Sequence, residues 1–343
     1  MRRRSKTVRF RFQLVVLRQE CRRLKQSLLM KAIVYYNYGS PDVLKCEEIA
    51  NPTAGDNEVL LKVCAASVNP ADWRLLRGVP YIFRIPFGMR KPTITQPGRL
   101  GHDVAGQVER VGRNVAQFKP GDAVFGSCHG ALAEYACTPE SKLVMKPDNV
   151  TFEQAASVPV AAITALQGLR DKGHIQPRQK VLINGAAGGV GTFAVQIAKS
   201  FGAEVTAVCS IRNVDIARSI GADHVIDYTR EDFTKSGQRY DLILGANAHH
   251  LIFDYRRELS QDGIYVVVGG GLFQIFQAML LAPLLLLISS EKTCFFIANI
   301  NQKDLVFLKE LLETGKVVPV IDRRYPLSNA AEGAIRYLEE GKS

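Results

Sequence analysis

Gly188, Gly189 and Gly191 stand between an apolar run at 181–183 and an amphipathic stretch that ends near Lys199. That order reads as strand, tight turn, helix. Glycines in such a turn leave no side chain between the backbone and an incoming anion. The first N–H groups of the helix, with the positive end of its dipole, then face that anion. The chemistry this arrangement serves is phosphate binding. Ala186, Gly188 and Gly191 occupy the three places of the G-x-G-x-x-G pattern, and a second apolar run follows at 204–210, where a βαβ unit needs its next strand. A dinucleotide pyrophosphate is therefore expected against Ala187, Gly188, Gly189, Val190 and Gly191.

The end of the second strand decides which dinucleotide. A site for NAD places an Asp or Glu there to accept from the ribose 2′-hydroxyl. This chain has Ser210, Arg212 and Asn213 instead. A hydroxyl, a guanidinium and an amide offer donors and positive charge, which suit a 2′-phosphate and hence NADPH. The alternative for Arg212 is a solvated position at the start of the next helix.

The elements that must hold these residues change character along the chain. From Ala32 to about Val150, short apolar strands are broken by many glycine and proline turns, as in an all-β lobe of barrel type. From Thr151 onward, helical stretches alternate with short apolar runs at 181–183, 205–209, 224–228, 240–244, 264–268 and 294–300. Six strands alternating with helices specify a doubly wound parallel sheet. The fold class is thus α/β, a β lobe over 30–150 followed by a Rossmann domain over 151–314.

A chain of 343 residues can bury two cores. Its net charge of +11 does not make it a nucleic-acid binder, because residues 1–29 alone carry ten Lys/Arg and one Glu, which leaves +2 for the rest. That leader resembles an organelle-targeting segment or a basic arm, but Met30 opens a stretch that reads as a natural start. The leader is expected to be a disordered extension. The seven cysteines are scattered, without a Cys-x-x-Cys pair, and read as reduced packing residues in a cytoplasmic setting. The apolar run at 278–288 is interrupted by Pro283 and is too short to span a bilayer.

Several motifs together resemble the medium-chain dehydrogenase/reductase superfamily, in its zinc-independent quinone oxidoreductase (zeta-crystallin-like) branch. They are Tyr38-Gly-Ser-Pro-Asp-Val-Leu44, Ala66-Ser-Val-Asn-Pro-Ala-Asp72, Gly101-His-Asp-Val-Ala-Gly106, Phe118-Lys-Pro-Gly-Asp-Ala-Val-Phe125, Ala131-Leu-Ala-Glu-Tyr135, Ala186-Ala-Gly-Gly-Val-Gly191, Gly221-Ala-Asp-His-Val-Ile-Asp227 and Tyr325-Pro-Leu327. The resemblance implies a GroES-like β lobe, to which the chain returns after about Gly315, and an active site in the cleft beside it. It also implies a homodimer. It adds Thr164, Tyr228, Gly245 and Gly269 to the cofactor positions. It suggests Asn69 as a polar group near the nicotinamide and acceptor carbonyl, and Tyr81 as a donor to the reduced oxygen. Asn69 could instead cap a turn before Pro70, and Tyr81 could only pack.

Metal-dependent relatives hold a catalytic zinc, which takes about three Cys or His ligands. The corresponding places here fall on His102, Asn69 and about Val160, so no metal is expected and His102 reads as a hydrogen-bonded cleft residue. Without a Lewis acid to activate an alcohol, the chemistry favours NADPH reducing a quinone or an α,β-unsaturated carbonyl. Two departures from the family pattern keep other readings open, namely an alcohol dehydrogenase-type enzyme and a non-catalytic NADPH-binding scaffold. The segment 245–250 lacks the usual acid-glycine pair. The chain also lacks the family's closing strand after Gly341, which would leave a sheet edge exposed.

Overall fold

The computed structural model describes residues 15–18, 28–79, 84, 89, 91–92, 98–271, 273–274, 277, 280–281, 292–330 and 335. Two compact units divide the chain. One holds 1–160, 300–309 and 320–343, and the other holds 161–299 and 310–319.

The first unit begins with β1 (Val15–Arg18), β2 (Leu29–Tyr35), β3 (Lys45–Ala50) and β4 (Glu58–Val68). Helix α1 (Pro70–Arg77) follows β4 directly. Then come β5 (Gly98–Arg99), β6 (Asp103–Val111), β7 (Ala123–Ser127), β8 (Tyr135–Pro139), β9 (Leu143–Met145) and the short helix α2 (Phe152–Ala156). The second unit holds β10 (Lys180–Asn184), β11 (Glu204–Cys209), β12 (His224–Asp227), β13 (Tyr240–Gly245), β14 (Leu259–Val267) and β15 (Lys292–Phe295). Its helices include α3 (Pro159–Leu166), whose first two residues belong to the first unit, α4 (Gly189–Ser200), α5 (Val214–Ser219) and α6 (Ile252–Arg257). The chain then returns to the first unit as β16 (Arg323–Pro326).

All neighbours in the second unit's sheet run parallel, in the order β12-β11-β10-β13-β14-β15. This is the doubly wound arrangement, with the chain reversing direction across the sheet between β10 and β13, where such folds bind ligands at the carboxyl ends of the strands. The strands are nearly continuous apolar runs because helices cover both faces of a parallel sheet. Leu182, Val208, Ile243, Tyr255 and Tyr265 pack into one buried core. The last strand ends at Phe295, short of the expected 294–300 run, since residues 296–300 do not continue the ladder.

The first unit carries a seven-stranded, largely antiparallel sheet and a three-stranded one. Ile33, Leu61, Val63, Val104, Val124 and Leu132 form its core. The contacts change unit at 160/161 rather than at the expected 150/151, because α2 packs against β4 and β6.

Within the leader, Val15–Arg18 departs from the expected disorder. Val15–Arg18 forms a strand inserted between β4 and β16, antiparallel to the first and parallel to the second. Val-Val-Leu is a strong strand former hidden among arginines, and an unpaired edge offers it a row of backbone partners. Val16 stands opposite Ser67, so the leader also backs the part of β4 that leads into α1.

Removing residues 1–27 is expected to destabilise the protein by more than about 1 kcal/mol relative to removing residues 1–14. Thermal melts of the two truncations check this; equal melting temperatures would show that β1 contributes nothing.

Candidate functional site

Two groups of side chains carry chemistry, one in each unit. In the first unit, β4 and β6 pair so that Ser67 lies directly opposite Asp103. The Ser67 hydroxyl donates to Asp103 Oδ2 at 2.6 Å, and Asn69 Nδ2 donates to the same oxygen at 2.8 Å. The backbone N–H of Val160 donates to Asp103 Oδ1 at 3.0 Å. Asp103 is fully buried, and that burial pushes its carboxyl up to about 6 against the pull of these three donors.

Asn69 is the residue before Pro70 at the start of α1, and Asp72 is the third residue inside it. An acid at that place reaches back to the helix start, and Asp72 Oδ2 accepts the Asn69 N–H at 2.7 Å. The Asn69 side chain is therefore released from capping and turns to Asp103. Asp72 Oδ1 accepts from the Gly101 N–H at 3.0 Å and from His102 Nδ1 at 3.2 Å. Burial alone would lower the His102 pKa, but the hydrogen bond to Asp72 and the charges of Asp72 and Asp103 outweigh it, so the imidazole stays above its ordinary value. His102 is hydrogen-bonded, as its sequence position suggested. The Val160 position offers the cluster a backbone N–H rather than a ligand side chain. Tyr81 lies outside the described residues, as does most of 272–288.

In the second unit, Gly188 is the N-cap of α4 and Gly189, Val190 and Gly191 form its first turn. The first N–H groups of a helix have no carbonyl of an earlier turn to bond. A Cβ on Gly191 would lie 2.1 Å from the Gly185 carbonyl oxygen, so only glycine lets the helix approach β10 this closely. A Cβ on Gly188 would meet only that oxygen, at 3.3 Å, and the backbone there is ordinary extended chain with φ −80°. Gly188 is thus less crowded than Gly191, with one tight contact and otherwise open space beside it, which is what a phosphate needs. Ala187 precedes it, half-buried.

Ser210 follows β11, where Asn213 Nδ2 donates to its hydroxyl at 3.3 Å and the Tyr228 hydroxyl is also bonded to it. Arg212 is exposed beside them. Ser210, Arg212, Asn213 and Tyr228 are therefore gathered at the carboxyl ends of β11 and β12. Gly245 and Gly269 are likewise brought together, since the Gly269 N–H donates to the Gly245 carbonyl at 3.1 Å. Thr164 lies half-buried on α3.

A brace beneath the glycine turn was not foreseen. Asn184, the last residue of β10, donates to the Tyr255 hydroxyl and accepts from the N–H groups of Ala246 at 2.9 Å and Asn247 at 3.1 Å. The Tyr255 hydroxyl also accepts from the His249 N–H at 3.2 Å, and its ring stacks on Tyr265 at 4.4 Å between centroids. Gly185 takes φ +85°, and a side chain there would strike Asn247. The segment 245–250 is thus tied to β10 by its own residues, in place of the acid-glycine pair of the resemblance. An Asn-Gly pair ending a strand was the visible signal for Gly185. Nothing in the sequence pointed to Tyr255.

Two family models match this chain: "Alcohol dehydrogenase GroES-like domain" over residues 55–148 and "Zinc-binding dehydrogenase" over residues 220–343. A 2-methylene-furan-3-one reductase of Solanum lycopersicum is 34% identical over 328 residues, spanning 92% of this chain and 77% of the relative. An NADPH-dependent alkenal/one oxidoreductase of Arabidopsis thaliana, chloroplastic, is 34% identical over 325 residues, spanning 90% of this chain and 76% of the relative. Among solved structures, the quinone oxidoreductase from Coxiella burnetii superposes with a TM-score of 0.79 at 29% identity, covering 92% of this chain and 97% of that one.

Gly188→Asp places a carboxylate where a phosphate is expected, in a backbone conformation that accepts a side chain. It is expected to weaken nicotinamide-coenzyme binding by about 100-fold or more while the protein still folds and melts cooperatively. Fluorescence titration with NADH and NADPH checks this, and undiminished binding would move the site elsewhere.

Proposed function

Because the chain belongs to the quinone oxidoreductase branch of the medium-chain dehydrogenase/reductase superfamily, we propose that it reduces a quinone or an α,β-unsaturated carbonyl with NADPH, without zinc. It is an oxidoreductase of the quinone/enone reductase type. The observation that carries the choice of coenzyme is the cluster of Ser210, Arg212, Asn213 and Tyr228 at the strand ends beside the Gly188 turn. No acid of this cluster competes for a ribose hydroxyl, and the exposed guanidinium of Arg212 is available to a 2′-phosphate.

The reduced nicotinamide supplies the hydride. This chain's own residues bind and orient. The first turn of α4 receives the pyrophosphate, and the Asn184–Tyr255 brace holds the neighbouring segment 245–250 in place. In the β lobe, Asp103 holds Asn69 as the polar group offered to the acceptor carbonyl. The donor chemistry around His102 supports a reaction independent of zinc. Asp72 and Asp103 are both committed to hydrogen bonds, and Asn69 brings an amide where zinc would want a thiolate. Among the described residues, no three His, Cys, Asp or Glu side chains converge as a metal site.

No helix among the described residues is long and apolar enough to cross a membrane. Free cysteines fit a reducing, cytoplasmic setting, and a homodimer is the assembly we propose with this activity.

Purified protein is expected to oxidise NADPH when a quinone or an enone is present and not when both are absent. NADPH binding without turnover on either acceptor would make it a binding protein instead. Arg212→Asp is expected to weaken NADPH binding by about 10- to 100-fold and to leave NADH binding unchanged, as read by titration with each. Chelator-treated protein is expected to keep its activity, and stoichiometric zinc whose removal abolished turnover would overturn the metal-free reading.

A further inference from the structure

We propose that His102 delivers the proton that completes the reduction, with Asp72 as the positioning residue that aims it. This rests on the quinone or enone reduction argued above. Asp72 is held on three sides, by the Asn69 N–H, the Gly101 N–H and His102 Nδ1, and its side chain is wholly buried. A carboxylate oxygen can only accept, so the proton on that side of the imidazole belongs to Nδ1. The ring is thereby fixed in orientation, with Nε2 turned away from Asp72. Among the described residues nothing is bonded to Nε2, and 31% of the side chain is exposed. A buried acid that fixes one nitrogen of a partly exposed imidazole and leaves the other unused is the geometry of a proton-transfer pair. The same Asp72 fixes the backbone of Asn69, so the histidine and the proposed carbonyl-binding amide share one anchor.

The step balances as follows. Hydride addition to an enone or quinone leaves an enolate or quinolate oxygen that carries the negative charge. An O–H bond forms at that oxygen as the Nε2–H bond breaks, and the electron pair of that bond stays on Nε2. Neutral His102, still donating Nδ1–H to Asp72, regains its proton from water. One hydride and one proton are consumed for each acceptor reduced.

The groups facing His102 set its titration. Asp72 on α1 and Asp103 at the start of β6 favour the charged ring. His129 meets His102 edge-to-face, with 5.9 Å between ring centroids. Burial lowers the His129 pKa, and His102 and Arg99 lower it further against a smaller upward pull from Asp72, so the two imidazoles are shifted in opposite directions.

Two measurements test this. By NMR titration of the wild-type protein without coenzyme, the His102 imidazole is expected to titrate above the ordinary histidine range, and a value below that range would overturn the proposal. In steady-state kinetics, kcat/KM for NADPH is expected to fall as pH rises through that same value, since kcat/KM reports ionisations of the free enzyme. His102→Gln keeps Asp103 and His129 in place. It is expected to lower kcat by about 100-fold and to remove that limb of the pH profile, with NADPH binding and melting temperature unchanged. A variant that kept wild-type kcat and profile would refute the histidine's role alone. Wild-type protein that turned over neither a quinone nor an enone would refute the reduction reading, and this proposal with it.

Discussion

The carbonyl of Gly185 and the backbone of Gly191 lie so close that no side chain fits between them. Everything in the second unit follows from that approach. It lets α4 begin directly at the carboxyl end of β10, the innermost place in a sheet of six parallel strands. There the dipole and unpaired N–H groups of a twelve-residue helix face one spot. Gly188, whose one close neighbour is the Gly185 carbonyl, marks that spot. The two glycines do different work. One is required by packing, and the other leaves room.

The first unit depends on a different constraint, two carboxylates buried side by side. Burying an ionised acid is costly unless donors surround it, and each is surrounded. Asp103 receives a hydroxyl, an amide and a backbone N–H. Asp72 receives two backbone N–H groups and an imidazole. The donors are drawn from β4, α1, the turn before β6 and the start of α3, so the acids knit four parts of the chain around Asn69 and His102. The leader strand β1 lies against the same end of β4, which gives residues far from the site in sequence a part in holding it.

How much of this could be read beforehand depended on whether the interaction was local. The glycine turn, the six parallel strands and the cluster at Ser210, Arg212 and Asn213 announce themselves within a few residues, because strand, turn and helix follow one another there. The β-lobe motifs were legible as a resemblance, and Asn69 was singled out by it. The partners of Asn69 were not legible, since the pairing of Ser67 with Asp103 is set by strand register across 36 residues. The brace from Asn184 to Tyr255 spans 71 residues and had no pattern to betray it. The leader misled because its charge was counted before its short Val-Val-Leu run, and an open place between two strands lies beyond what composition can show. Bulk composition tells little about such contacts, which form only once the sheet exists.

The most direct measurement is a calorimetric titration of the intact, folded chain with NADPH and, separately, NADH. The account predicts one site per chain, with NADPH bound more tightly than NADH. Absence of binding heat with either nucleotide across a range of temperatures would contradict it, because the turn at Gly188 would then hold no coenzyme and the proton chemistry of the β lobe would have no hydride to complete.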